Sequence, residues 1–158
     1  MIYVALENLR SLYNIGGIFR TCSFFGITRV LLVGYSGRNF DTRGRSVLHE
    51  DVKKSSLGSE ANLEIVFLED AGELLKYAKD NGLRVVSVEQ NEKSLKLGDW
   101  TPQDNSILVF GNEVTGVSDE LLSGSDQIVE VERPGVHNSL NVTTTCGIVL
   151  HKATQPGH

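Results

Sequence analysis

Three short stretches carry side chains suited to binding or catalysis. The first is "NIGGIFR", residues 14–20, which sets Asn14 and Arg20 at the two ends of a glycine-containing segment. The second is "GNEVTG", residues 111–116, with Glu113 between two glycines. The third is "VERPGVHNSLNV", residues 131–142, where Pro134-Gly135 leads into His137, Asn138, Ser139 and Asn141. Amides, a hydroxyl, a carboxylate and a guanidinium orient a ligand by hydrogen bonds and steady developing charge. They do not make a metal set: the histidines are scattered, and Cys22 and Cys146 sit in apolar helical patterns without metal spacing. No metal is expected, and the cysteines read as small buried hydrophobes. Each polar residue also has a plainer role. Asn14 and Ser139 can cap helices, Asn141 can face solvent, and Glu113 can be a loop acid near a helix start.

The elements that must position these groups follow from periodicity. Apolar, β-branched runs recur at "IYVAL", "RVLLVG", "LEIVFL", "LRVVSV", "SILVFG" and "QIVEVE", with helical patterns between most of them. That alternation predicts an α/β fold, a mostly parallel sheet with helices on both faces. In residues 14–26, Ile15, Ile18, Phe19 and Cys22 form one helical stripe; Arg20 lies off it, and Gly26 closes the helix in a left-handed cap. Gly16 and Gly17 each cost about 1 kcal/mol in a helix relative to alanine, which implies a close approach to that backbone. Residues 69–82 repeat the pattern with Ala71, Leu74, Leu75 and Ala78 inward, and Ser118 opens another short helix. Ligands of open α/β sheets bind beyond the carboxyl ends of strands. Residues 111–116 and 132–141 are expected there.

The chain has 158 residues, 40 % apolar and 22 % charged, which fits one globular domain over 1–158 without a membrane span. "MIYVALENLR" lacks the features of a secretory signal, so a cytoplasmic location is expected. A net charge of -5 disfavours indiscriminate polyanion binding. Locally, Arg38, Arg43 and Arg45 with Lys53 and Lys54 make a basic stretch suited to phosphate, although a solvated loop face accounts for it equally well. No GxGxxG follows the first strand and no GxxxxGK[ST] occurs, which argues against a nicotinamide enzyme or a P-loop nucleotidase. "GYSG" at 34–37 lacks the spacing of a nucleophile elbow and reads as a turn.

"NLRSLYNIGGIFRTCSFFGITRVLLVG", "ILVFGNEVTGVSDELL" and "HNSLNVTTTCGIVLHKA" together resemble, in order and spacing, the three motifs of the SpoU/TrmH branch of the SPOUT RNA methyltransferases. The resemblance covers nearly the whole chain, including the linking "KKSSLGSEANLEIV". It implies S-adenosylmethionine as methyl donor, a ribose 2′-hydroxyl of RNA as acceptor, a C-terminal trefoil knot and a homodimer that builds its site between two chains. By motif position it assigns catalytic roles to Asn14, Arg20, Glu113, Ser139 and Asn141. It assigns the adenosine surroundings to Val88, Gly111, Val131 and Leu140; with RNA as acceptor, the basic stretch offers Arg38, Arg43 and Arg45 as candidates for RNA contact. One departure is "VERP", where the family often shows an Ile-Pro-Met-like sequence; Pro134 is shifted later.

Methyl transfer from a sulfonium is an in-line displacement, and alignment alone contributes about 7 to 11 kcal/mol in favourable cases. A guanidinium stays protonated in proteins. The preferred role for Arg20 is therefore to hold phosphate and steady alkoxide charge, with the general-base role open. Transfer RNA is the expected substrate and ribosomal RNA the alternative. A catalytically silent RNA-binding module of the same fold, or an enzyme acting on a small metabolite, are the competing readings.

Overall fold

Alternation along the central strands builds a sheet with two apolar faces, and the helices cover both. The computed structural model describes residues 1–155. In chain order the elements are β1 (Ile2–Glu7), α1 (Leu12–Phe24), β2 (Arg29–Val33), β3 (Arg38–Phe40), β4 (Ser46–Leu48), α2 (Glu50–Ser56), a 3₁₀ turn (Ser59–Asn62), β5 (Glu64–Leu68), α3 (Ala71–Asp80), β6 (Arg84–Val88), β7 (Leu95–Lys96), β8 (Ser106–Phe110), α4 (Asp119–Gly124), β9 (Gln127–Glu130) and α5 (Val142–Ala153). Seven strands form one sheet in the order β5-β2-β1-β8-β6-β9-β7. Every pairing in it is parallel. β3 and β4 pair separately as an antiparallel hairpin.

Val4 and Leu6 of β1, Val30 and Leu32 of β2, and Leu108 and Phe110 of β8 pack on one side with α1, α2 and α5. Their neighbours Tyr3, Ala5, Leu31, Val33, Ile107 and Val109 pack on the other side with α3 and α4. This is the expected parallel sheet with helices on both faces. The stripe Ile15, Ile18, Phe19 and Cys22 is fully buried, and each large side chain of such a stripe contributes about 1.5 to 3 kcal/mol.

The close approach implied by the paired glycines comes from neighbouring helices. A Cβ on Gly16 would lie 1.9 Å from Ser55 Oγ of α2, and one on Gly17 would lie 3.1 Å from Thr143 Cγ2 of α5. Gly26 has φ +73° just beyond the end of α1, the left-handed position expected of it. Cys22 and Cys146 are buried where α1 meets α5. Burial, and then the neighbouring Cys22 thiol, push the Cys146 thiol well up from its ordinary value. Among the described residues, no helix is long and apolar enough to cross a membrane.

Candidate active site

The carboxyl ends of β6, β8 and β9 open onto one cavity of about 730 Å³, bordered by residues 88–90, 110–114, 116 and 130–142. Val88, Gly111, Val131 and Leu140, expected around an adenosine, all line it, as do Asn14, Glu113, Ser139 and Asn141. Arg20 does not. It lines an adjoining cavity of about 740 Å³ on α1 and α5, together with Tyr13, Gly17, Phe24 and Thr144. Asn14 and Asn141 border both cavities and form their common wall.

That wall is a hydrogen-bonded chain. The expectation that Asn14 caps α1 is corrected: the helix begins earlier, and Ser11 is the cap, its Oγ accepting from the Asn14 backbone N–H at 3.1 Å. The Asn14 side chain is thereby released for contacts across the site. Its Nδ2 donates to Glu113 Oε1 at 3.3 Å, and its Oδ1 accepts from Asn141 Nδ2 at 3.2 Å. The other carboxylate contacts of Glu113 are backbone donors, Arg10 N and Ser11 N, both at 3.0 Å. Burial alone would raise the Glu113 carboxyl; the Arg10 and Ser11 N–H groups and the Asn14 amide outweigh it and hold the carboxyl below its ordinary range. The group stays ionised beside the start of α1, where negative charge is favoured.

Capping at α5 also differs from the plainer sequence reading. Asn141, not Ser139, is the cap, and its Oδ1 accepts from Thr143 N at 2.8 Å and Thr144 N at 3.4 Å. Its carbonyl oxygen caps while its amide reaches Asn14, so one side chain performs both the structural and the site task. Ser139 and His137 lie in the exposed connection from β9 to α5, which lines the cavity. Thr143 Oγ1 donates to Asn14 O at 3.3 Å, part of the packing that supports a poor helix-forming threonine run.

The three arginines of the basic stretch are placed differently. Arg38 has a side chain only 6 % exposed. It donates to Glu69 Oε1 at 2.6 Å and Leu68 O at 2.7 Å, with its guanidinium over the Phe67 ring. Its charge is spent inside the fold. Arg45 pairs with Asp41 at 2.7 Å within the β3–β4 hairpin, and Arg43 is exposed at the hairpin tip. Among the described residues, no group of three or more His, Cys, Asp or Glu side chains could hold a metal ion.

Several residues of the site region were not singled out in the sequence. Asn112 donates through Nδ2 to Asn8 O and Tyr35 Oη, while its Oδ1 accepts from Val114 N and Thr115 N, so one saturated amide folds the β8 turn. Glu89 and Gln90 follow β6 and line the cavity. Their position after a strand that ends at the ligand edge was the available signal.

The sequence pattern of the SpoU rRNA methylase family matches this chain over residues 1–151. A Saccharomyces cerevisiae tRNA (guanosine(18)-2′-O)-methyltransferase is 26 % identical over 144 residues, 89 % of this chain and 9 % of that protein. A Streptomyces laurentii 23S rRNA (adenosine(1067)-2′-O)-methyltransferase is 32 % identical over 150 residues, 94 % of this chain and 52 % of that protein. The chain thus spans about half or less of the length of these curated relatives. The crystal structure of an AdoMet-bound rRNA methyltransferase from Sinorhizobium meliloti superposes with a TM-score of 0.82 at 24 % identity, over 96 % of this chain and 55 % of that one. With its motifs gathered at one sheet edge and the family match running through them, this chain belongs to the SpoU rRNA methylase family.

Proposed function

We propose that the chain transfers a methyl group from S-adenosylmethionine to the ribose 2′-hydroxyl of an RNA nucleotide, with transfer RNA as acceptor. The observation that carries this reading is the Glu113–Asn14–Asn141 chain standing between two adjoining cavities. The first of these cavities suits a donor. The donor cavity combines apolar Val88, Val131 and Leu140 with the carboxylates of Glu89, Glu113, Glu130 and Glu132. That set fits a ligand with a flat apolar base and a sulfonium cation. When bound, S-adenosylmethionine supplies an electrophilic methyl group.

The chain's own residues align and steady. Gly111, Val131 and Leu140 border the adenosine, and Asn14, Asn141 and Ser139 hold the acceptor edge. Arg20 keeps its proton and stabilises negative charge at the 2′-oxygen or its phosphate, while the 2′-hydroxyl proton passes to phosphate or water. Because Arg20 faces the second cavity in its own chain, we assign that task to Arg20 of a second copy in a homodimer. Exposed Tyr13 (79 %), Phe24 (82 %) and Ile148 (38 %) on α1 and α5 support the dimer, since such apolar faces mark contact surfaces. Arg43 and Arg45 on the hairpin carry the proposed RNA contact; the engaged guanidinium of Arg38 does not. The trefoil knot belongs to the same proposal, supported by the way residues 131–141 join two other loops around one cavity. So does a cytoplasmic location.

Incubation with labelled S-adenosylmethionine and separate tRNA and rRNA pools, followed by nucleoside mapping, tests the reading. A 2′-O-methylnucleoside in tRNA is expected. The ribosomal RNA activity of the Streptomyces relative favours rRNA as the second acceptor. Label on a base, or on no RNA, would refute the reaction.

A further inference from the structure

We infer that Glu7 and Glu89 are positioning residues of the donor site, two carboxylates that grip the turn after β8 from its two sides. The inference rests on the proposed donor site. β1 and β6 flank β8 in the sheet. Glu7 is the last residue of β1, and Glu89 directly follows β6. Glu7 Oε2 accepts from Ser118 N at 2.8 Å, and Glu89 Oε2 accepts from Val117 N at 2.9 Å. The strands on either side of β8 thus each send one carboxylate to one of two consecutive amides of its turn.

Chemistry gives this pairing a purpose beyond chance contact. Glu7 is only 3 % exposed, and a buried carboxylate is costly unless hydrogen-bonded. A strand needing only to pack would carry an apolar residue there. Glu89 is fixed from its other oxygen as well, since Oε1 accepts from Gln90 N at 2.9 Å.

The turn between them has no slack. Gly116 sits at φ +72°, where a Cβ would be strained and would lie 2.1 Å from Glu89 Oε2. A Cβ on Gly111 would lie 2.2 Å from Val117 N. Asn112 and Gly116 exchange two backbone hydrogen bonds at 3.1 and 2.9 Å. A shift of Val117 and Ser118 therefore displaces Gly111, which lines the donor cavity, and Glu113, which anchors Asn14. Glu89 lines the cavity and could also touch a donor directly. Glu7 does not line it and acts through the turn alone.

Glu7 is accordingly the residue to test, as Glu7→Gln, which keeps shape and one acceptor oxygen, and as Glu7→Ala. Amide hydrogen exchange in the protein without donor reads the grip; titration with S-adenosylmethionine and steady-state kinetics read the site. In Glu7→Gln, exchange at Val117 and Ser118 should quicken about tenfold while Leu108 and Val109 are unchanged. Donor Kd and KM should rise about tenfold, with kcat at saturating donor altered far less. Glu7→Ala should exceed Glu7→Gln in both readouts; if it does not fold, Glu7→Gln decides alone. Unchanged exchange at residues 117 and 118 would overturn the grip. Faster exchange with unchanged donor affinity would overturn its role at the site. A parent protein that binds no S-adenosylmethionine would bring down the proposed function and the site role with it, while exchange would still report whether the grip exists.

Discussion

Replacing Glu113 by alanine removes the acceptor of three hydrogen bonds that tie the β8 turn to the start of α1, from Arg10 N, Ser11 N and the Asn14 amide. Hydrogen bonds to an ionised group contribute about 1.5 to 3 kcal/mol each, but Glu113 is exposed, and water can replace part of what is lost. The net cost should therefore be about 2 kcal/mol. For a domain of this size that corresponds to a fall in Tm of about 4 to 8 °C. Glu113→Gln keeps one acceptor oxygen without the charge and should recover roughly half of the loss. The same change frees the Asn14 amide and loosens the wall it forms with Asn141, so turnover with RNA should drop by at least about tenfold in the alanine variant. Thermal unfolding and single-turnover methyl transfer measure the two effects on one preparation. An alanine variant that melts within about 1 °C of the parent and turns over equally would show that these bonds exchange freely with water and position nothing.

Arg20→Ala should lower turnover by about two to four orders of magnitude with little change in donor affinity, read by calorimetry and methyl transfer. A near-normal rate would end its assignment. The Glu113 carboxyl titrates below its ordinary 4.5, so its stabilisation is complete above that value and is lost as pH falls through the folded one. The Tm difference between parent and Glu113→Gln should thus be constant above about pH 6 and shrink under acid. Gly111→Ala places a methyl 2.2 Å from Val117 N, against backbone that cannot rotate away. It should abolish donor binding or folding, whereas Gly44→Ala, with nothing within 4 Å, should bear only the strain of its φ +74°. Both cysteines should resist a thiol reagent in the native protein and react at once in denaturant.

The large strands and the core stripe of α1 were legible because burial on both faces leaves long apolar runs and a clean helical period. β3, β4 and β7 were not, being two or three residues long and partly polar. Asn14 shows the limit of local reasoning. An asparagine before an apolar stripe reads as a cap, and only the fold reveals that Ser11 takes that task and frees Asn14 to bridge Glu113 and Asn141 across about a hundred residues of sequence or more. Arg38 fails in the opposite direction. Its charge reads as a surface group, but the Leu68 carbonyl and the Phe67 ring hold it inward, and the exposed Glu69 carboxylate pairs with it from the surface. Arg20 was placed correctly off the buried stripe, yet the second cavity it faces belongs to the packing of α1 on α5 and has no signature in sequence.

The central claim is that three loops at the carboxyl edge of the sheet hold the methyl donor with its reactive carbon toward the Asn14–Asn141 wall. A crystal structure with S-adenosylmethionine bound tests it directly. The adenosine should lie against Gly111, Val131 and Leu140, with the sulfonium methyl directed at the wall and toward Arg20 of a second copy. A donor bound elsewhere, or one whose methyl faces away from Asn14 and Asn141, would contradict the account.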